Sequence, residues 1–211
     1  MSAALWPADA CGLSSAAEAL LRGAVVGFPT DTVYGLAARA DSAGACQLLS
    51  SLKGRSLTQP LVLMVRDPEI QGYFEWSQPA RELARRFWPG PLTLILRAGP
   101  HSLHLGGGET VGVRIPNHPL ALELLGRAGP LATSSANRHG RPPCPDARAA
   151  LAALPSLAGV LDDSQALSGG GAPSSILDLT REHPVLLREG ALSAAQLGIS
   201  KIEKEPGSRR D

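Results

Sequence analysis

Aromatic residues are scarce in this chain: three Phe, two Tyr and three Trp make up 4% of 211 residues. A core must therefore be built from Leu, Val, Ile and Ala, and a base-stacking platform for single-stranded nucleic acid has little to work with. Cysteine is also rare. Cys11, Cys46 and Cys144 are odd in number and far apart, so they form neither a disulfide framework nor a CxxC metal knuckle, which suits a reducing compartment. Charge of one sign is missing too. Twenty Lys and Arg against nineteen Asp and Glu leave a net charge of +1, which gives no long-range attraction to nucleic acid. That balance still permits a basic pocket. No apolar run approaches the length of a membrane span, and Met1–Ala10 has no basic residue ahead of an apolar core, so no secretory signal is expected. The expected compartment is the cytoplasm.

What remains is ordinary for a globular protein, with 44% hydrophobic and 18% charged residues, enough for one large domain. Ser14 or Ser15 is expected to cap a helix through Ala16–Leu21, stopped by Gly23. Ala24–Phe28 reads as a buried strand, ended by Pro29. Asp41 and Ser42 are placed to cap a second helix through Leu52. Leu61–Val65 reads as a strand covered on both faces. Residues 79–87 read as a helix and Leu92–Leu96 as a strand. Residues 98–109 read as a mobile loop, Thr110–Pro116 as a strand, and 119–126 as a helix. A short strand at Leu131–Thr133 runs into Ser134-Ser135-Ala136-Asn137, and 138–145 is too rich in Pro and Gly for regular structure. A helix at 146–153 and strands near Val160, at Ser175–Leu179 and at Val185–Leu187 complete the chain. The expected fold is α/β, a single domain (10–199) with a twisted mixed β-sheet flanked by helices around a basic cavity. Residues 1–9 and 200–211 are expected to be flexible termini.

The stretch Pro29-Thr30-Asp31-Thr32-Val33-Tyr34-Gly35-Leu36 concentrates hydroxyls and a carboxylate at a strand end, where open α/β sheets place ligands. Taken alone it reads equally well as a polar turn. Further polar clusters recur at strand ends: Lys53 and Arg55, Arg114, Ser134–Asn137, Ser174 and Ser175, and Arg188. Several hydroxyls with four cations suit a small anionic ligand, a nucleoside polyphosphate above all, because Arg offers forked donors and Lys a mobile point charge. Neither GxxxxGK[ST] nor a GxGxxG strand–turn–helix is present, so side chains and short loops must hold any nucleotide. His101 and His104 lack the partners of a metal cluster, Asp162-Asp163 reads as a Mg²⁺ pair or as an exposed turn, and spacing alone gives no Ser/His/Asp triad.

With Pro-Thr-Asp-Thr-Val-Tyr-Gly-Leu followed in order by Lys-Gly-Arg, Trp-Pro-Gly-Pro-Leu-Thr, Val-Arg-Ile-Pro, Ser-Ala-Asn and Leu-Arg-Glu-Gly, residues 14–192 resemble the YrdC family. Its members are the threonylcarbamoyl-AMP synthases of tRNA modification. The resemblance implies a nucleotidyltransferase that makes threonylcarbamoyl-AMP and pyrophosphate from L-threonine, bicarbonate or CO₂, and ATP. It implies Mg²⁺ arriving with the ATP, no metal ligand from the protein, and hand-off to a tRNA threonylcarbamoyl-transfer complex. Direct tRNA binding stays open.

By the same resemblance, Thr32, Met64, Arg114, Thr133 and Ser174 would contact threonine. Lys53, Arg55, Gln59, Thr110, Ser135, Asn137, Pro143 (through its backbone) and Arg188 would line the ATP side, with Lys53, Arg55, Ser135 and Asn137 as the catalytic group. The chain departs from the family at Gln59, usually Asn, at Met64, His in some members, and at Pro173-Ser174-Ser175-Ile176, usually Ser-Thr-Val. It stops about where the family's short form does. Two other classes fit a similar domain: a non-catalytic RNA-binding module, against which charge and aromatic content argue, and a carbamoyl-adenylate enzyme, whose zinc-finger and acyltransferase parts are missing.

Overall fold

The computed structural model describes residues 4–56, 58–163 and 171–199. The expected flexible segment 200–211 and most of the glycine triplet at 169–171 lie outside them. Among the described residues the strands are β1 (Ala4–Pro7), β2 (Val26–Phe28), β3 (Gly35–Arg39), β4 (Val62–Met64), β5 (Phe74–Glu75), β6 (Leu92–Ala98), β7 (Thr110–Arg114), β8 (Leu131–Ser135), β9 (Gly159–Asp162), β10 (Ser175–Asp178) and β11 (Val185–Arg188). The helices are α1 (Ala10–Leu21), α2 (Ala43–Lys53), α3 (Gln78–Phe87), α4 (Pro119–Ala128), α5 (Ala147–Ala153) and α6 (Ala194–Leu197). All strands join one mixed sheet in the order β1-β9-β2-β3-β8-β4-β7-β6-β10-β11, with β5 paired to β6. No described helix is long and apolar enough to cross a membrane.

The sheet is apolar on both faces because its strands alternate between two cores. Leu36, Ala38, Leu63, Ala132 and Val160 pack with α2, α3, α5 and α6. Their neighbours Ala37, Met64, Leu131 and Leu161 pack on the opposite face with Leu13, Ala16 and Leu20 of α1 and Leu124 and Leu125 of α4. Near-continuous apolar runs such as Leu61–Val65 are the sequence signature of this double covering.

Several local expectations need correction. Helix α1 starts at Ala10, not at Ser14. Asp9 caps it, its Oδ1 accepting from Cys11 N and Gly12 N at 2.9 Å each, and Asp is as good an N-cap as Ser. Ser14 and Ser15 instead sit inside the helix and donate back to the Ala10 and Cys11 carbonyls. Residues 4–7 are no flexible terminus, because β1 pairs in parallel with β9. The segment 98–109 contains a 3₁₀-helix at Pro100–Leu105. Ser102 is buried and donates to Tyr73 O, His104 Nε2 bonds the Ala40 carbonyl, and Leu105 is 2% exposed. Strand β8 runs two residues further than expected and takes in Ser134 and Ser135. Helix α2 does start at its expected cap, Ser42, and ends at Gly54 in the left-handed conformation (φ 67°), a position that favours glycine.

Leu63 is fully buried at the centre of the sheet, between β7 and β8. We expect Leu63→Ala to lower unfolding free energy by about 2–5 kcal/mol, read as a drop in the urea midpoint. An unchanged midpoint would mean that the two-sided packing of β4 is wrong.

Candidate active site

Sheet register gathers residues that are far apart in sequence. Val62 of β4 lies opposite Thr133 of β8 on one side and Gly112 of β7 on the other, and Gly112 lies opposite Ile95 of β6. One step along, Met64 lies opposite Leu131 and Arg114, and Ile176 of β10 lies opposite Thr93 and Arg188. These residues share the face covered by α1 and α4. That cover reaches only as far as Met64 and Leu131, and beyond it a cleft of about 460 Å³ opens. A Cβ on Gly112 would sit 3.2–3.6 Å from Ile95, Thr93 and Val62, so glycine there keeps the floor low.

Arg114 closes one end. Its side chain is 4% exposed, Nε donates to Gly90 O at 3.0 Å, Nη1 to Thr32 Oγ1 at 3.0 Å and Nη2 to Asp31 Oδ1 at 2.6 Å. Three of five guanidinium N–H groups are thus fixed by protein, and two remain without a partner among the described residues. Burial pulls the Arg114 pKa down from its ordinary value, while the Asp31 carboxylate beside it acts the other way; a guanidinium stays charged even so. Thr30 shapes the loop that presents these groups. Its Oγ1 donates to Val33 O at 2.6 Å and accepts from the Thr32 and Val33 amides, the geometry of a side-chain-stabilised turn. Tyr34 belongs to the core instead: it is fully buried, its hydroxyl accepts from Asp163 N, and burial pushes its pKa up to about 12.

Arg188 adjoins Arg114. Its Nε donates to Ser174 O at 3.0 Å and its Nη2 to Ser174 Oγ at 3.2 Å, and Ser174 Oγ is also hydrogen-bonded to Thr93 Oγ1 at 2.9 Å. Burial and then the Arg114 charge lower the Arg188 pKa. Two cations repelling each other at one end of a cleft favour an anion between them. At the other end Arg55 Nη1 donates to Ser134 Oγ at 3.2 Å, its Nη2 to the Gln59 and Pro60 carbonyls, and its buried Nε finds no partner among the described residues.

Lys53, at the end of α2, is 5% exposed. Its ammonium is held by Asn137 O at 2.9 Å, Asn137 Oδ1 at 3.2 Å and the Ser135 carbonyl. Burial and the Arg55 charge pull its pKa down to about 8. Asn137 is fully committed: Oδ1 also accepts from Ser135 Oγ, and Nδ2 donates to Arg138 O and to Arg141 O.

The cleft therefore brings together Thr32, Met64, Arg114, Thr133, Ser174, Arg55, Ser135, Asn137, Pro143 and Arg188. Lys53 and Gln59 line an adjoining recess of about 390 Å³ that shares Arg55, Ser135 and Asn137 with it. Thr110 is not brought in; it lines neither space, and its hydroxyl donates to Gly107 O at 3.1 Å. Sequence reasoning gave no role to Asp31, Gly90 or Thr93. Thr93 is in principle legible, since it alternates with Leu92 and Leu94 and so lies on the cleft's face of the sheet, where it is buried beneath Ser174. The Gly90 carbonyl carries no side-chain signal at all. Among the described residues no group of three or more His, Cys, Asp or Glu is arranged to hold an ion; of the Asp162-Asp163 pair, the Asp163 carboxylate lies 3.5 Å from His118 Nε2.

Comparison with known proteins adds independent evidence. Residues 18–190 match the Sua5/YciO/YrdC family model, described as "Telomere recombination". A Mycobacterium leprae relative is 41% identical over 191 residues, 88% of this chain and 86% of that one. The threonylcarbamoyl-AMP synthase of Bacillus subtilis is 39% identical over 194 residues, again 88% of this chain but 55% of the relative. The crystal structure of Pyrococcus abyssi Sua5 complexed with L-threonine superposes with a TM-score of 0.80 at 34% identity, covering 89% of this chain and 57% of that one. The chain thus spans little more than half the length of the Bacillus and Pyrococcus relatives. On the match of its residues 18–190, the chain belongs to the Sua5/YciO/YrdC family.

Proposed function

We propose that this chain is a threonylcarbamoyl-AMP synthase, joining L-threonine, bicarbonate or CO₂, and ATP into threonylcarbamoyl-AMP and pyrophosphate. The observation that carries this reading is the Arg114 fork, with two unassigned donors beside Thr32, Ser174 and Arg188. Planar paired donors match a carboxylate, and hydroxyls around them suit a small polar amino acid. Each charge-assisted hydrogen bond supplies roughly 1.5–3 kcal/mol.

Threonine binds at the Arg114 end, with Met64 and Thr133 on the floor beside it, and ATP extends toward Arg55. The threonine amine adds to CO₂ and loses a proton, giving a carbamate. A carbamate oxygen attacks the α-phosphorus; that O–P bond forms, the bond to the β-phosphate bridge breaks, and pyrophosphate leaves with its electron pair. Attacker and electrophile are both anionic, so fixed cations lower the barrier by offsetting their repulsion. Among the described residues no carboxylate lines the cleft. This donor set fits a Mg²⁺ carried by the phosphates, which neutralises polyphosphate charge when bound. The residues of this chain orient the ends of the reaction: Arg114 and Thr32 hold the amino acid, while Arg55, Ser135 and Asn137 face the phosphates. The product is an activated carbamate in the cytoplasm, consumed by a transfer complex that acts on tRNA.

Purified protein should release pyrophosphate only when threonine, bicarbonate and ATP are all present; release undiminished without threonine would sink the assignment. Thr32→Val leaves one buried guanidinium N–H without its acceptor, a loss of about 1–3 kcal/mol. Threonine KM should rise about tenfold or more with ATP KM unmoved, and the reverse pattern would put this loop on the nucleotide. The depressed Lys53 pKa sets a pH limit. The ammonium is protonated below about 8 and loses its charge as pH rises through that value, together with its bonds to the Ser135–Asn137 loop. Turnover should fall on the alkaline side near pH 8, and Lys53→Arg should move that limb upward, because arginine does not deprotonate in this range. A profile identical in the variant would exclude Lys53 as its source.

A further inference from the structure

A second cavity, of about 440 Å³, lies behind the turn that receives Arg114. Arg114 faces the cleft, whereas its neighbour Ile115 lines this second space, as the alternation of an extended chain requires. Trp88 and Pro89 complete the shared wall. The room comes from α3, where Ala84 stands between Arg81 and Arg85 on the face that a larger side chain would fill.

The chemistry of the walls is specific. Trp76 and Trp88 lie 6.1 Å apart, ring centre to ring centre, tilted by 57°. Each indole N–H is already used, Trp76 Nε1 on Pro68 O at 3.1 Å and Trp88 Nε1 on Leu92 O at 2.7 Å. Apart from the face of Trp76 that Arg81 covers, the rings therefore offer only apolar and π surface to an occupant. Three arginines surround them. Arg81 is spent, since it lies over the Trp76 ring at 5.0 Å and bonds Glu69 at 2.9 Å. Arg66 and Arg85 make no carboxylate ion pair among the described residues, and Glu69 is the one acidic residue lining the cavity. Two aromatic rings beside two free guanidinium groups select a flat π-system that carries an anion.

We propose that this cavity is a second nucleotide site, taking one free nucleoside monophosphate with its base on Trp76 and Trp88 and its phosphate on Arg66 and Arg85. Its volume is within the range of small-molecule pockets, and a chain with net charge +1 lacks the extended basic surface that would hold a polynucleotide. The site is separate from the cleft and does not depend on the reaction assigned there.

The test uses AMP as the probe and tryptophan emission as the readout, because stacking on Trp76 and Trp88 quenches it. AMP should quench the wild type and Arg188→Ala with the same midpoint. Arg85→Glu, at an exposed position, should raise that midpoint at least about tenfold, a loss of 1.4 kcal/mol or more, and Trp76→Leu should remove most of the quench. Pyrophosphate release by Arg85→Glu with threonine, bicarbonate and ATP should match the wild type. Absence of a quench, or a midpoint unmoved by Arg85→Glu, would overturn the site. A midpoint moved by Arg188→Ala instead would place AMP in the cleft and do the same, without touching the synthase reading. Tighter quenching by a short oligoadenylate than by AMP, with steep salt dependence, would replace the mononucleotide with RNA and refute the proposal.

Discussion

A buried guanidinium is the constraint around which this molecule is arranged. Removing Arg114 from water costs several kcal/mol unless its donors are matched. The chain matches them from separate places: Asp31 and Thr32 in the loop between β2 and β3, and the Gly90 carbonyl in the turn before β6. Neither segment is near Arg114 in sequence. Charge satisfaction therefore locks two loops to the end of β7 before any ligand arrives. The same bonds leave two guanidinium donors without a partner among the described residues, so the group that fixes the loops also keeps donors in reserve in a preset orientation.

The cleft itself follows from unequal layering. Helices α2, α3, α5 and α6 pack on one face of the sheet, whereas α1 and α4 cover only part of the other. On the uncovered part the alternation that elsewhere sends Leu and Ala inward sends Arg114, Thr133 and Ser174 to the cleft. Balanced overall charge conceals a local excess: among the described residues Arg55, Arg114, Arg141 and Arg188 line the cleft, and no Asp or Glu does. A net charge describes the far field of a protein, and says little about a concavity where charges of one sign are gathered by register.

Most strands were legible because an apolar run bounded by Pro or Gly admits few other readings. The mixed sheet was legible from strands and helices that mix without strict alternation, whereas the order of the motifs rested on the resemblance to the YrdC family. What the sequence hid was long-range. The pairing of β1 with β9 joins residues 4–7 to residues 159–162, and no local pattern marks a four-residue edge strand at the start of a chain. The 3₁₀-helix at Pro100–Leu105 is fixed by Tyr73 and Ala40 through Ser102 and His104, again tertiary partners. The site divided in the same way. Cations and hydroxyls at strand ends could be nominated one by one, whereas Thr110, nominated by the resemblance alone, lines neither the cleft nor its recess. The Asp31–Arg114 pair spans 83 positions, which spacing cannot reveal.

The region around Lys53 shows why composition alone misjudges a role. A lysine near a candidate phosphate site invites the picture of a free ammonium reaching into solvent. Here its donors are held by the Ser135 and Asn137 carbonyls and by the Asn137 amide oxygen. Asn137 in turn spends its two N–H donors on the Arg138 and Arg141 carbonyls, and so fixes the irregular segment that carries Arg141 and Pro143 to the cleft. One cation thus orders a loop with no repeating structure of its own. Its charge still acts on the neighbouring recess, because a field in a partly dry cavity is screened far less than in water. The Arg55 fork beside it is only partly engaged among the described residues, with its buried Nε unpartnered, while Lys53 supplies potential and shape.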